Sequence, residues 1–117
     1  AGAILLMAGD IRIGARGDFR IGLNETAIGL PLPHVATELA KDRLAPTERQ
    51  QAVVMAKLYD PEAAVRAGYL DEALAPDAVD AAAMEAARGL AALDGHAFAE
   101  TKRRMRAATV ERVRVLG

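Results

Sequence analysis

Cysteine and tryptophan are absent from the 117-residue sequence, and aromatic residues make up only 3% of it. Without cysteine there is no disulfide and no thiolate nucleophile, so a reducing compartment is expected, with the cytoplasm as the default. With so few aromatic residues, the core is expected to consist of Ala, Leu, Val and Ile. The hydrophobic content of 52% is sufficient for one domain of this length.

An excess of charge of either sign is also absent. The formal net charge of -1 gives no reason to expect a nucleic acid or a membrane surface as a partner. Neither histidine, His34 or His96, has a second ligand at the spacing of a metal site, so no metal is expected. Because His34 lies between a proline and a predicted helix, it is interpreted as a cap or a surface residue.

The apolar run over residues 1–9 is too short to span a bilayer, and no basic segment precedes it as in a secretory signal. Because a domain rarely begins inside its own core, the sequence is expected to be part of a longer protein.

Near the other end, six basic residues either complement the dipole of a helix or contact a phosphate or an acidic partner. They are Lys102, Arg103, Arg104, Arg106, Arg112 and Arg114.

The spacing of apolar residues predicts an α/β organisation for residues 1–75. Residues 2–8 are apolar on every side, which is typical of a fully buried helix. Alternation over residues 11–15 and again over residues 19–23 predicts two short strands with a turn between them. Residues 24–33 contain a glycine and two prolines that prevent a long helix, so this segment is predicted to be a loop.

Helical signals dominate from residue 34 onwards. A helix is predicted from His34, and a second one from Pro46, with Thr47–Gln50 as a capping box and Val54, Met55 and Leu58 as its apolar face. Asp60-Pro61 starts a third helix that ends at Gly68, and residues 69–74 are predicted to be a short strand or an extended segment. Residues 76–117 show only helical periodicity, interrupted at Gly95.

Glu25 is the strongest candidate for a catalytic residue. It follows a predicted strand directly, and Leu23, Ile28 and Leu30 lie close to it in sequence. Apolar neighbours disfavour the ionised form of a carboxylate and so strengthen it as a base near neutral pH. Asn24 is either a polar partner of this base or a residue that favours the turn. The alternative for Glu25 is a solvated surface position, where most carboxylates lie.

The start of the first helix is the second candidate site. Residues 1–3 carry no bulky side chain, so an anionic ligand atom could approach the unpaired amides at the positive end of the helix dipole. Close packing of this helix against a neighbour would also favour small residues, and the sequence does not separate the two interpretations.

With these residues identified, the sequence resembles the crotonase superfamily of enoyl-CoA hydratases and isomerases. The opening segment, residues 1–14, resembles that family's glycine-rich helix start, apolar helix and strand. Residues 64–74 resemble its Ala-x-x-x-Gly-Leu-Val-Asp-x-Val segment, and Thr101-Lys102 with Met105-Arg106 resembles its last helices. The Ile-Gly-Leu-Asn-Glu-Thr segment, residues 21–26, is most similar to the mitochondrial-type 3,2-trans-enoyl-CoA isomerases.

The resemblance implies the C-terminal portion of a spiral of ββα units over residues 1–75 and a helical trimerisation region over residues 76–117. It implies an acyl-CoA thioester as substrate, with coenzyme A as part of the substrate and no separate cofactor. Homotrimers or hexamers are expected. The N-terminal half of such a protein supplies one oxyanion donor and most of the adenine-binding surface, so residues 1–117 alone are expected to be inactive.

The resemblance also assigns roles to residues. The backbone N–H of Ala1 takes the place of an oxyanion donor, and Glu25 takes the place of the second of two hydratase glutamates, whereas Ile4 occupies the first. A single acid implies an isomerase in which Glu25 moves a proton, with a hydratase or a non-catalytic CoA-binding or oligomerising relative as alternatives. Substrate contacts are expected at Gly2, Leu23, Asn24, Ile28 and Leu30, and a CoA contact at Lys102.

Two departures from the family pattern affect the expected site. The helix start reads Ala-Gly-Ala instead of Gly-Gly-Gly, and residues 30–34 lack the glycines that usually follow the base. The second departure leaves the placement and the length of the acyl chain open.

Overall fold

The structure, a computed structural model, describes residues 1–117. It contains five α-helices and four short strands. The helices are α1 (Gly2–Met7), α2 (His34–Arg43), α3 (Pro61–Ala67), α4 (Val79–Ala91) and α5 (Gly95–Leu116). The strands are β1 (Ile13–Ala15), β2 (Ile21–Gly22), β3 (Leu58–Tyr59) and β4 (Glu72–Leu74). Short 3₁₀ turns cover Glu25–Ile28, Pro46–Glu48 and Pro76–Ala78, and a π-helix covers Gln50–Val54.

The strands pair across long stretches of sequence. β1 pairs in parallel with β4, with Ile13 opposite Glu72, and β2 pairs antiparallel with β3, with Ile21 opposite Tyr59. The two strands predicted on either side of the turn are present, although both are shorter than predicted, and neither pairs with the other. All strands lie between residues 13 and 74, and only helices follow, which confirms the α/β organisation.

Helix α3 forms as its sequence signals predict. The side chain of Asp60 accepts a hydrogen bond of 2.8 Å from the backbone N–H of Ala63, which has no intrahelical partner. Gly68 ends the helix with a φ of 101°, a left-handed conformation that favours glycine. This turn leads directly into Tyr69 and then to strand β4.

The capping box predicted at Thr47 is wrong. Thr47 lies in a 3₁₀ turn whose preceding residue is Ala45, and no side chain caps it. The following π-helix has a wider turn than an α-helix and changes which side chains face inwards. As a result Ala52 is buried, whereas Val54, Met55 and Leu58 of the predicted apolar face are 54%, 66% and 46% exposed.

Helix α1 is present, but the prediction that it is fully buried is wrong. Only Met7 is buried, and the side chain of Leu5 is 78% exposed. Within this chain one face of α1 packs on the core, and the other borders an open groove of about 620 Å³ whose far wall includes Leu90 of α4. The uniformly apolar composition therefore reflects one packed face and one open apolar face.

The core contains aromatic residues that the composition did not lead us to expect. Tyr59 and Tyr69 are its largest fully buried side chains, and their ring centroids lie 5.6 Å apart. Two tilted rings at this distance contact each other and contribute beyond their buried area. The remaining core residues are aliphatic or small: Met7, Leu23, Ala40, Leu44, Ala52, Ala64, Ala67 and Leu70.

Ion pairs connect helix α5 to the rest of the chain. Arg112 contacts Glu38 at 2.7 Å and Arg106 contacts Asp42 at 2.8 Å, both on α2, and Lys102 contacts Asp10 at 2.7 Å. The remaining basic side chains near the end of the chain pair within α5: Arg103 and Arg104 with Glu100, and Arg114 with Glu111. No helix of the structure is both long enough and apolar enough to cross a membrane.

We expect the pair between Glu38 and Arg112 to make stability depend on acidic pH. The hydrogen bond from Arg112 lowers the pKa of Glu38 below its ordinary value of 4.5, although burial opposes the shift. A lowered pKa in the folded state contributes stability above the unfolded pKa, and this contribution is lost as the pH falls through the folded pKa. The Glu38→Gln variant should therefore lose less stability than the parent on acidification, as measured by urea unfolding between about pH 2.5 and 6.

The matched control for this experiment is Glu111→Gln, which removes an exposed acid from α5. Its stability should follow the pH dependence of the parent protein. Equal acid sensitivity in the Glu38→Gln variant and the parent would contradict the assignment.

Candidate active site

Glu25 occupies a short, well-defined turn at the end of strand β2. The chain enters this turn through Leu23, which is 1% exposed and belongs to the core. Glu25 is the first residue of the 3₁₀ turn, and the carbonyl of Asn24 accepts a 3.0 Å hydrogen bond from the N–H of Ala27. Gly29 closes the turn with a φ of 80°. The core residue at one end and the left-handed glycine at the other fix the backbone that carries the carboxylate.

The side chain of Glu25 is half-buried, and its two oxygens have different surroundings. Oε2 is removed from solvent and has no hydrogen-bond partner within the chain. Leaving a buried polar atom unpaired costs free energy, so such an atom in a native protein calls for an explanation. Glu25 is therefore not a fully solvated surface residue. Of its two carboxylate oxygens, Oε1 is the one that is available to a ligand.

Tyr69 is the residue near Glu25 that sequence analysis missed. It is fully buried, and its hydroxyl also has no hydrogen-bond partner. Burial raises the pKa of Tyr69 well above its ordinary range, and the hydroxyl of Tyr59 and the carboxylate of Glu25 add to the shift. The only signal in the sequence was a lone tyrosine directly after the helix-ending Gly68.

Tyr59 lies beside Tyr69, but its hydroxyl has a hydrogen-bond partner. Its hydroxyl donates a 3.0 Å hydrogen bond to Oε1 of Glu48, and the ammonium of Lys57 lies 4.9 Å from the centre of its ring. Burial raises the pKa of Tyr59 to about 12, and the hydrogen bond to Glu48 contributes. The two neighbouring tyrosines therefore differ in that only the hydroxyl of Tyr69 has no hydrogen-bond partner.

The start of α1, where an oxyanion donor is predicted, is open. Ala1 and Gly2 are exposed, and a Cβ at Gly2 would contact nothing within 4 Å. The N–H groups of the first helical residues have no intrahelical acceptor, as at any helix start. Ile4 packs partly against the core, and the helix contains no acidic residue.

The predicted substrate contacts stay predictions, and the structure places them in three different environments. Leu23 is a core residue, whereas Asn24 is exposed and makes no side-chain cap. Ile28 and Leu30 are 62% and 54% exposed, so the two side chains expected to keep water away from Glu25 are themselves open to solvent. None of the five main cavities has Glu25 in its wall. Of the dry pocket predicted around this carboxylate, the structure shows only the burial of Oε2.

Lys102, the predicted CoA contact, lies on a different element from Glu25. It is on α5, is 43% exposed, and lines a groove of about 520 Å³ together with Phe98 and Met105. Its ammonium is paired with Asp10. His34 is exposed at the start of α2, and no group of three or more His, Asp or Glu side chains could hold a metal ion.

The fold is that of a crotonase-like α/β protein. A Pseudomonas syringae structure described as an enoyl-CoA hydratase/isomerase family protein superimposes with a TM-score of 0.95, at 36% identity over 98% of this chain and 50% of that one. The enoyl-CoA hydratase EchA3 of Mycobacterium ulcerans superimposes with a TM-score of 0.93, at 42% identity over 98% of this chain and 50% of its own. The sequence model of the enoyl-CoA hydratase/isomerase family matches residues 1–115, and the chain belongs to this family.

The chain is also similar to a relative that is named as an isomerase. Mouse mitochondrial enoyl-CoA delta isomerase 1 is 28% identical over 111 residues, which cover 94% of this chain and 38% of the mouse protein. The chain thus spans less than half of that relative and about half of the matched structures. The names of its relatives include both isomerases and hydratases.

Proposed function

We propose that this protein is an enoyl-CoA isomerase that moves a double bond from position 3 to position 2 of an acyl-CoA thioester, as a step in fatty acid metabolism. The observation that carries the proposal is the lone, half-buried carboxylate of Glu25, with Ile4 where the family resemblance places the other glutamate of a hydratase. Adding water across a double bond benefits from two carboxylates that activate the water and deliver the proton. Moving a double bond needs only one base that reaches two carbons.

The reaction divides into two proton transfers. Oε1 of Glu25 takes a proton from C2 of the 3-enoyl thioester, and the electrons of the broken C–H bond form an enolate with the charge on the thioester oxygen. The protonated carboxyl then returns the proton to C4. The double bond now lies between C2 and C3, the carbonyl has re-formed, and Glu25 is ionised again, so no external acid, base or cofactor is consumed.

The negative oxygen of the enolate needs hydrogen-bond donors. In this proposal one donor is the backbone N–H at Ala1, at the exposed start of α1, where Gly2 leaves room for the thioester. One such donor in an oxyanion site contributes about 3–4 kcal/mol to the transition state. The chain spans about half of the matched structures, so a second donor and most of the CoA-binding surface would come from an amino-terminal half.

The substrate is the only ligand that this mechanism requires. Coenzyme A enters as part of the thioester, and Lys102, still 43% exposed beside Asp10, is proposed as a contact of its phosphates. Exposed apolar side chains on α4 and α5, among them Met84, Met105 and Val110, support assembly into a trimer or hexamer, which sedimentation would test. The compartment stays a prediction: composition favours the cytoplasm, whereas the mouse relative is named as mitochondrial.

A hydratase is the second candidate, because the EchA3 relative at 42% identity is named as one. A non-catalytic CoA-binding or oligomerising relative is the third. The complete product of the gene that encodes this chain is incubated with a 3-enoyl-CoA and, separately, with a 2-enoyl-CoA. We expect migration of the double bond in the first incubation and no uptake of water in the second. Uptake of water would favour the hydratase, and no reaction in either would favour the third candidate.

The isolated 117-residue chain belongs in the same assay. We expect it to show no turnover by itself, because a chain that spans half of its structural relatives lacks the proposed second donor. Turnover by the isolated chain at the rate of the complete protein would contradict that part of the proposal.

A further inference from the structure

Tyr69 and the segment that carries Glu25 are connected through the same core cluster. Strand β2 pairs with β3, so that Ile21 lies opposite Tyr59, and the tilted rings of Tyr59 and Tyr69 have their centroids 5.6 Å apart. Leu23, two residues before Glu25, belongs to the same core cluster as both tyrosines. The turn that begins at Glu25 is therefore attached to the core cluster that contains Tyr69.

Two polar atoms in this region are buried and unpaired. One is Oε2 of Glu25, an acceptor, and the other is the hydroxyl of Tyr69, a donor. The neighbouring Tyr59 does not compete for Oε2, because its hydroxyl donates to Glu48. The charge of Glu25 acts on Tyr69 and helps to raise the pKa of its phenol, which stays protonated and able to donate at neutral pH.

We propose that Tyr69 is a positioning residue, whose hydroxyl donates to a water that in turn donates to Oε2 of Glu25 and so keeps Oε1 turned towards the substrate. This role rests on the proposed function of Glu25 as the base. Holding one oxygen of the carboxylate removes its rotational freedom and leaves the other with a fixed direction for both proton transfers. A donor to the ionised carboxylate also favours that form, which is the form that starts the reaction.

The test compares Tyr69→Phe with Tyr59→Phe in the complete gene product. Each variant removes one hydroxyl from a buried ring and keeps the contact between the two rings. For Tyr69→Phe we expect kcat for double-bond migration to fall about tenfold with KM almost unchanged. The acidic limb of the pH profile of kcat/KM should move upward by about half a unit, because the ionised carboxylate loses a donor. Tyr59→Phe should leave this limb in place.

A direct titration of the Glu25 carboxyl carbon by ¹³C NMR separates failure of this inference from failure of the proposed function. The signal is assigned by its absence in Glu25→Gln, and its midpoint should rise in Tyr69→Phe but not in Tyr59→Phe, whether or not the protein is an isomerase. The same midpoint in Tyr69→Phe and the parent would overturn the positioning role. A fall in kcat without movement of either the acidic limb or the carboxyl titration would overturn it as well, because that pattern indicates only structural damage.

Discussion

Replacing Glu25 with glutamine should reduce double-bond migration by about 10²- to 10⁴-fold, which is the usual contribution of a general base. Glutamine has nearly the same shape, so the turn between Leu23 and Gly29 should persist and KM should change little. The loss should fall on kcat, because the amide cannot accept the proton from C2. The measurement is the rate of conversion of a 3-enoyl-CoA to the 2-enoyl isomer by the complete gene product.

The matched control for this substitution is Glu85→Gln. Glu85 lies on α4 with its side chain 81% exposed, next to Arg88, and has no role in the proposed mechanism. It should keep the turnover of the parent. Parent-like turnover in Glu25→Gln would remove Glu25 as the base and, with it, the proposed mechanism.

The Gly68→Ala substitution should lower the free energy of unfolding by about 2–4 kcal/mol. The φ of 101° at Gly68 is strained for any residue with a side chain. A Cβ there would also lie 2.7 Å from the carbonyl oxygen of Arg43 and 3.1 Å from Cα of Leu44, which are backbone atoms that cannot rotate away. The midpoint of urea unfolding of the complete gene product measures the loss.

Gly89→Ala is the same substitution at a position without close neighbours, and it should raise the free energy of unfolding. Gly89 lies in the exposed interior of α4, and its added methyl group would contact nothing within 4 Å. Alanine at such a position stabilises a helix by about 0.5–1 kcal/mol. If both variants lowered the midpoint equally, the conformation assigned to Gly68 would be wrong.

The sequence predicted those elements whose ends are set by local chemistry. Asp60 and Gly68 define α3 through a cap and a left-handed turn, and neither depends on the rest of the chain. The helix at Thr47 was mispredicted because a capping box is only one possible conformation of its four residues. Here the chain forms a 3₁₀ turn and then a π-helix, which packs Ala52 into the core instead of the larger Val54.

The candidate site was predictable only in part, because some of its residues are brought together by tertiary contacts that local sequence does not reveal. Glu25 could be identified because it follows a short apolar strand, and a family resemblance covers residues 21–26. Tyr69 lies 44 residues further along, and nothing local indicates that its hydroxyl is buried near Glu25. That neighbourhood is created by the pairing of β2 with β3 and by the contact between the tilted rings of two tyrosines, both of which depend on tertiary structure.

The parallel pairing of β1 with β4 has a consequence for biosynthesis. The backbone N–H of Arg12, just before β1, donates to the side chain of Asp71, a residue 59 positions later. The ribosome therefore exposes β1 before β4, the strand that pairs with it in this structure, has been made. Until Leu74 has left the exit tunnel, β1 cannot complete this pairing, and chaperones would have its β4-facing edge and the apolar face of α1 to protect.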